Sequence, residues 1–278
     1  MTDSQSPSQG VPAPTPAPRA RRDVVGLLLR GIGQTFITAG FVVLLFIVYE
    51  VWITNIFSDA KQQSLRNDLI KEFRAEVPVG DDPVVKAELG LPNGAQYTIP
   101  VGTGIAVLYI PRFGKDYAKA VVEGTDDNDL SKGPGHYTGT QLPGKVGNFA
   151  IAGHRVGKGE PFLNLDQLLP GDSLVVQTKT TWYVYSVLGD PATKNLTVRD
   201  AQGVPGREIV SPSNASVVNP VPGKANVPAD KATEALITLT TCHPKFSASQ
   251  RMIIHGVLSR TVAASGTALP RELVGGTL

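Results

Sequence analysis

Cysteine is nearly missing from this chain. Among 278 residues there is one, Cys242. A single cysteine excludes an intramolecular disulfide and any zinc site built on paired thiolates. The four histidines, His136, His154, His243 and His255, show no pair at a usual zinc spacing, so no metal is expected. A phosphate-cradling loop and a dinucleotide fingerprint are also missing. Gly102-Thr103-Gly104 is too short to count, and the expectation is that no cofactor is used. Charge of one sign is lacking as well. Of 26 basic and 24 acidic residues, four and three fall within positions 1–50, which leaves 22 and 21 for the rest. That near-neutral remainder carries no footprint for nucleic acid.

The chain does have proline and glycine, 22 and 29 residues, which predicts many loops. Pro7, Pro12, Pro14, Pro16 and Pro18 lie among Ser, Gln and Ala, a composition that cannot build a core. Residues 1–30 are therefore expected to be disordered, with a basic cluster at Arg19, Arg21 and Arg22. From Gly31 to Tyr49 no formal charge occurs. As a helix this stretch spans roughly 28 Å, close to the hydrocarbon thickness of a bilayer. Tyr49 and Trp52 stand where an interfacial aromatic belt would be. The run is long for a cleavable leader and lacks a small-residue cleavage site after it. Residues 31–53 are predicted to be an uncleaved transmembrane anchor in the plasma membrane. The preceding arginines place the N-terminus in the cytoplasm and everything after the anchor outside. The competing expectation is a buried soluble helix, which Gln34, Thr35 and Thr38 favour.

Residues 58–76 carry Leu65, Leu69, Ile70 and Phe73 at helical spacing. With a Pro/Gly/Asp-rich linker at 77–100, they make 54–100 a membrane-proximal segment. From 101 to 262 the pattern is β-rich. Candidate strands are 105–110, 147–152, 173–177, 181–188, 207–211, 236–241 and 252–258, with a short helix at 160–169. This predicts an all-β domain, a barrel or a sandwich. The tail, 263–278, is expected to be loose.

Cys242 closes the run Ala235–Thr241, and Arg251 opens the next apolar run. Neighbouring strands would set thiol and guanidinium at one end of a sheet. An unpaired thiol outside the cell is either buried and inert or kept for reactivity. An activated thiol needs an imidazole or a cation nearby. His154 emerges from a strand end beside a glycine, where catalytic groups are held rigidly yet exposed. His243 should point away from the thiol if the strand continues. His255 lies within a strand, and His136 lies in a loop. Arg251 offers a fixed fork of donors suited to an oxyanion.

Thr238-Leu-Thr-Thr-Cys242, Gly153-His154 after an apolar strand and Arg251 nine residues past the cysteine resemble the signature of sortases. These are the cysteine transpeptidases of Gram-positive cell surfaces. Gly133-Pro-Gly-His-Tyr137, the stretch Gly147–Arg155 and Cys242-His-Pro244 look most like class E, an actinobacterial group. The resemblance covers about residues 100–262 and implies an eight-stranded β-barrel. It implies a catalytic set of Cys242, His154 and Arg251, with Thr241 and Tyr109 as substrate contacts. It implies secreted partner proteins ending in a Leu-Pro-x-Thr-Gly signal, or Leu-Ala-x-Thr-Gly for class E. The acyl group would pass to the amine of a peptidoglycan precursor. Two other readings stay open on sequence. One is a cysteine hydrolase of the same signal. The other is a non-catalytic, membrane-tethered β-domain that binds a surface polymer or protein.

Overall fold

The computed structural model describes residues 24–49, 54–74, 83–89, 99–225, 227–264 and 269–274. The proline-rich start, the basic cluster and Trp52 lie outside the described residues. The chain divides into two units, Met1–Ile47 and Val48–Leu278.

The first unit contains helix α1, Val24–Val48. It begins earlier than the uncharged stretch and takes in Arg30, so residues 24–30 are helical where disorder was expected. None of its residues is buried. Its 25 residues give about 37 Å of helix, long and apolar enough to cross a membrane.

In the second unit, helix α2 (Thr54–Arg74) precedes a short helix, α3 (Pro83–Leu89), that interrupts the expected linker. Among the described residues nine strands follow: β1 (Gly104–Tyr109), β2 (Ala118–Glu123), β3 (Gly135–His136), β4 (Gly147–Ala152), β5 (Ser173–Gln177), β6 (Thr181–Val187), β7 (Arg207–Val210), β8 (Ala235–His243) and β9 (Gln250–Ala263). Eight of them close a barrel in the order β6-β5-β1-β2-β3-β4-β8-β9, sealed by a β6–β9 pairing. The length of β9 permits this closure. Its second half pairs with β6, and its first half takes β7 as a ninth strand.

Alternation along the strands sorts the side chains. Leu108, Val121, Phe149, Ile151, Leu174, Tyr185, Ile237, Leu239 and Ile254 share one interior core. Residues between them face outward. The segment after β4 plugs one end of the barrel through buried Phe162, Leu165 and Leu168. It is mostly turns around a 3-10 turn at Leu165–Gln167, where a helix over 160–169 was expected.

Outside the barrel, α2 packs Leu65, Leu69, Ile70 and Phe73 against Val107 and Ala120. Buried Gln62 accepts from Ala120 N–H (2.9 Å) and donates to Ala120 C=O (3.1 Å). Gly104 allows the close approach, since a Cβ there would lie 2.8 Å from a Leu69 methyl. The short helix α4 (Asp127–Leu130) precedes β3, and α5 (Arg271–Val274) lies near the C-terminus. Leu273 of α5 packs on Val175, Trp182 and Val184, and Glu272 pairs with Arg260, so this part of the tail is seated on the barrel.

Candidate active site

Strand β8 is the central strand of the site. It pairs in parallel with β4, Ala152 lying beside Thr240, and antiparallel with β9, Cys242 lying opposite Arg251. The β4 ladder continues one residue beyond the strand, where Gly153 N–H donates to Thr240 C=O at 3.0 Å. Carried one further step past the end of β4, the same register would bring His154 level with Cys242. Ile151, Leu239 and Ile254 point into the barrel. Alternation therefore turns Cys242 and Arg251 to the outer face as cross-strand partners, and the same parity carried past the end of β4 falls on His154.

Cys242 is the free thiol, partly exposed at the end of β8. The His154 ring is partly buried, and its Nε2 is a buried atom with no hydrogen-bond partner among the described residues. Burial holds its pKa below the ordinary histidine value, and the Lys158 charge adds to this. Asp127, which is 3.5 Å from Lys158, acts the other way. Burial and Lys158 thus favour the neutral form of the imidazole. The Arg251 guanidinium is turned back, its Nη1 donating to Ala248 C=O and Gln250 C=O at 3.0 Å each.

Sequence reasoning missed two members of the surroundings, Arg155 and Asp166. Arg155 follows His154, is 4% exposed and reaches beneath β8. Its Nη1 lies 2.8 Å from His243 Nδ1 and 3.4 Å from Cys242 C=O, and its Nη2 lies 3.3 Å from an Asp166 carboxylate oxygen. The adjacency His154-Arg155 was the available signal, since it sets a cation directly beside the candidate histidine.

The other expected contacts fall elsewhere. Thr241 has inward parity, is buried, and its hydroxyl donates to Gly153 C=O at 2.7 Å. It ties β8 to the β4 end and does not line the outer face. Tyr109 sits on β1, four strands from β8 in either direction around the barrel. Its hydroxyl donates to Gln177 at 2.8 Å and its ring packs on Trp182. Burial pushes its pKa up to about 12. This places Tyr109, the expected substrate contact, on the wall of the barrel across from β8. His136 is inside the barrel, 2.6 Å from Glu123. His255 is buried between Thr238 (2.8 Å) and Glu208 (3.2 Å). Four residues along β9 from Arg251, it is about 13 Å from that residue.

No group of three metal-ligating side chains occurs among the described residues. A cavity of about 490 Å³ between α2 and the β1–β2 turn, lined by Asp59, Gln62, Arg66 and Lys119, includes none of His154, Cys242 and Arg251.

A family model described as "Sortase domain" matches residues 108–259. Sortase SrtE1 of Streptomyces coelicolor is 33% identical over 248 residues, 86% of this chain and 59% of the relative, so the chain spans a little over half of that protein. Sortase SrtE2 of the same organism is 30% identical, covering 86% of this chain and 85% of the relative. Among solved structures, the SrtF sortase from Corynebacterium diphtheriae has a TM-score of 0.59 and 39% identity, covering 67% of this chain and 98% of that one. Sortase E from Streptomyces avermitilis has a TM-score of 0.50 and 34% identity, covering 63% and 99%.

Proposed function

The chain belongs to the sortase family of transpeptidases, and on that premise we propose that it is a membrane-anchored, class E-type enzyme working through a thioacyl intermediate on Cys242. The observation that supports this reading is the pairing of Cys242 with Arg251 across β8 and β9, with His154 two residues past the β4 end that pairs with Thr240. An arrangement of this kind lets an extended peptide cross all three groups at once.

In the proposed reaction, Cys242 Sγ attacks the Thr–Gly carbonyl of a Leu-Ala-x-Thr-Gly or Leu-Pro-x-Thr-Gly signal. Neutral His154 takes the thiol proton and delivers it to the departing Gly amine as the C–N bond breaks. The thioester left on Cys242 is then attacked by a peptidoglycan-precursor amine. His154 removes the amine's proton and returns it to the sulfur. Arg251 swings from the Ala248 and Gln250 carbonyls to donate to the oxyanion of each tetrahedral state. Its charge persists at any working pH, so the donor is always ready.

Helix α1 serves as the anchor, with the N-terminus cytoplasmic and the barrel outside. Tethering enzyme and membrane-held substrate to one surface raises their effective concentration. Secreted proteins with C-terminal sorting signals and the precursor amine are the partners of this reading.

Mass spectrometry after incubation with each signal peptide tests it. An adduct on Cys242 that passes to an added amine is the expected result. An unmodified Cys242 with both peptides would refute the reading, and release to water alone despite added amine would make the protein a hydrolase.

A further inference from the structure

Arg155 has been described by its contacts, and the reaction above does not use it. A guanidinium buried to 4% exposure is costly unless its donors are met. Here Nη1 and Nη2 are met by groups from two other segments, while Nε is buried with no partner among the described residues. Arg155 itself belongs to the segment that carries His154. His243 and the Cys242 carbonyl belong to the end of β8. Asp166 belongs to the 3-10 turn of the plug, and it also lies 4.0 Å from Lys245, just past β8. A guanidinium has donors only. The 2.8 Å contact to His243 Nδ1 therefore requires a bare lone pair there, and the ring proton must sit on Nε2. The arrangement is directional: Asp166 fixes the fork from one side, and His243 and the Cys242 peptide receive it on the other.

We propose that Arg155 is a positioning residue that clamps the His154 segment to the Cys242 strand end, with the Nδ1 of His243 as its required acceptor. His154 and Cys242 sit at the tips of two parallel strands, beyond the last regular β4–β8 pairing. The His154 C=O accepts from Phe162 N–H of the plug at 3.0 Å, and toward β8 the ties past Ala152 and Thr240, those of Arg155 apart, are among the described residues the Gly153 bonds to Thr240 and Thr241. Both of those hold Gly153, one residue short of the imidazole. Arg155 holds the chain on the other side, so His154 is pinned between two fixed neighbours. The clamp rests on the proposed roles of Cys242 and His154, but its signature in His243 does not.

The test uses the full-length protein in detergent. Replacing His243 with Leu removes the acceptor at a partly exposed position, while His243→Asn keeps an acceptor oxygen where Nδ1 lies. Loss of the clamp should slow acylation of Cys242 by roughly 10- to 100-fold, since a misplacement of about 1 Å costs that much. The loss should appear in kcat with KM for the sorting peptide within about 3-fold. His243→Asn should recover to within about 3-fold of wild type. An H243L rate equal to wild type, or an H243N rate as slow as H243L, overturns the clamp. Imidazole 15N NMR supplies an independent readout. His243 should show a bare, hydrogen-bonded Nδ1 in wild type, and that signature should vanish in Arg155→Met. An unchanged His243 spectrum in R155M overturns the clamp even if no peptide ever acylates Cys242. If R155M does not fold, the two His243 variants decide.

Discussion

Cys242 and Arg251 are direct cross-strand partners on β8 and β9, yet the Arg251 guanidinium donates back to Ala248 and Gln250 rather than toward the thiol. The backbone register fixes where the arginine starts, and a change of side-chain rotamer decides where its charge is delivered. Those two carbonyl bonds are solvent-accessible and readily exchanged, so an arriving oxyanion can compete for the fork. Arg251→Ala is expected to slow acyl transfer by at least ~10²-fold, comparable to the loss of an oxyanion-hole donor. Arg251→Lys should recover only part of this, because an ammonium cannot present two donors in a plane. Single-turnover rates with a sorting peptide check both, and a wild-type rate in R251A would remove Arg251 from the reaction.

Cys242→Ala should abolish thioester formation and leave the melting temperature close to wild type. The thiol is partly exposed at a strand end and has no hydrogen-bonded partner among the described residues to lose. Peptide turnover and thermal unfolding measured side by side separate the two effects. Turnover by C242A would mean another nucleophile.

His154 carries a pKa lowered by burial. The folded state then resists a proton that the unfolded chain accepts. Stability is complete above the unfolded value of about 6.5 and is lost as the pH falls from there toward the depressed folded value. His154→Gln removes this dependence. Urea unfolding between pH 7.5 and 5 should show wild type losing stability relative to H154Q only in the lower part of that range. Parallel curves would contradict it. At neutral pH, H154Q should also lose at least ~10²-fold in acyl transfer.

Gln62 on α2 satisfies both the N–H and the C=O of Ala120 on an otherwise outward strand face. Gln62→Leu keeps the volume but leaves those two groups buried without partners. The expected cost is about 1–3 kcal/mol per group, read by denaturant unfolding. Equal stability would mean that water replaces the amide.

Tyr109→Phe removes the bond to Gln177 and keeps the packing on Trp182. A loss of about 1 kcal/mol in stability is expected, with no change in the preference for Ala or Pro in the signal. Competition between the two peptides reads this directly, and a changed ratio would put Tyr109 in the substrate site.

Several parts of this protein were legible without a structure, and for physical reasons. The uncharged run Gly31–Tyr49 reads as a membrane-length helix because a span must be apolar on every side. β4 and β5 were predicted at their observed bounds because β-branched and apolar runs there end at Gly and polar turns. The adjacency of Cys242 and Arg251 followed from two apolar runs joined by a short loop. Strands β2 and β3 were missed. Ala118–Glu123 begins with Lys119 between alanines, and Gly135–His136 is only two residues long. Neither carries a local β signal, and each exists because its neighbours offer a ladder.

The cysteine, the histidine and the arginine were named by sequence, but sequence could not bring the end of the histidine's strand beside the cysteine's. That was decided by the parallel pairing of β4 with β8, which joins residues far apart in the chain and fixes both register and face. The same pairing brought Arg155 close to the Cys242 carbonyl, while the pairing of β1 with β2 and β5 set Tyr109 on the wall across from β8. A strand's own pattern says which of its residues share a face. Only closure of the barrel says what that face looks upon.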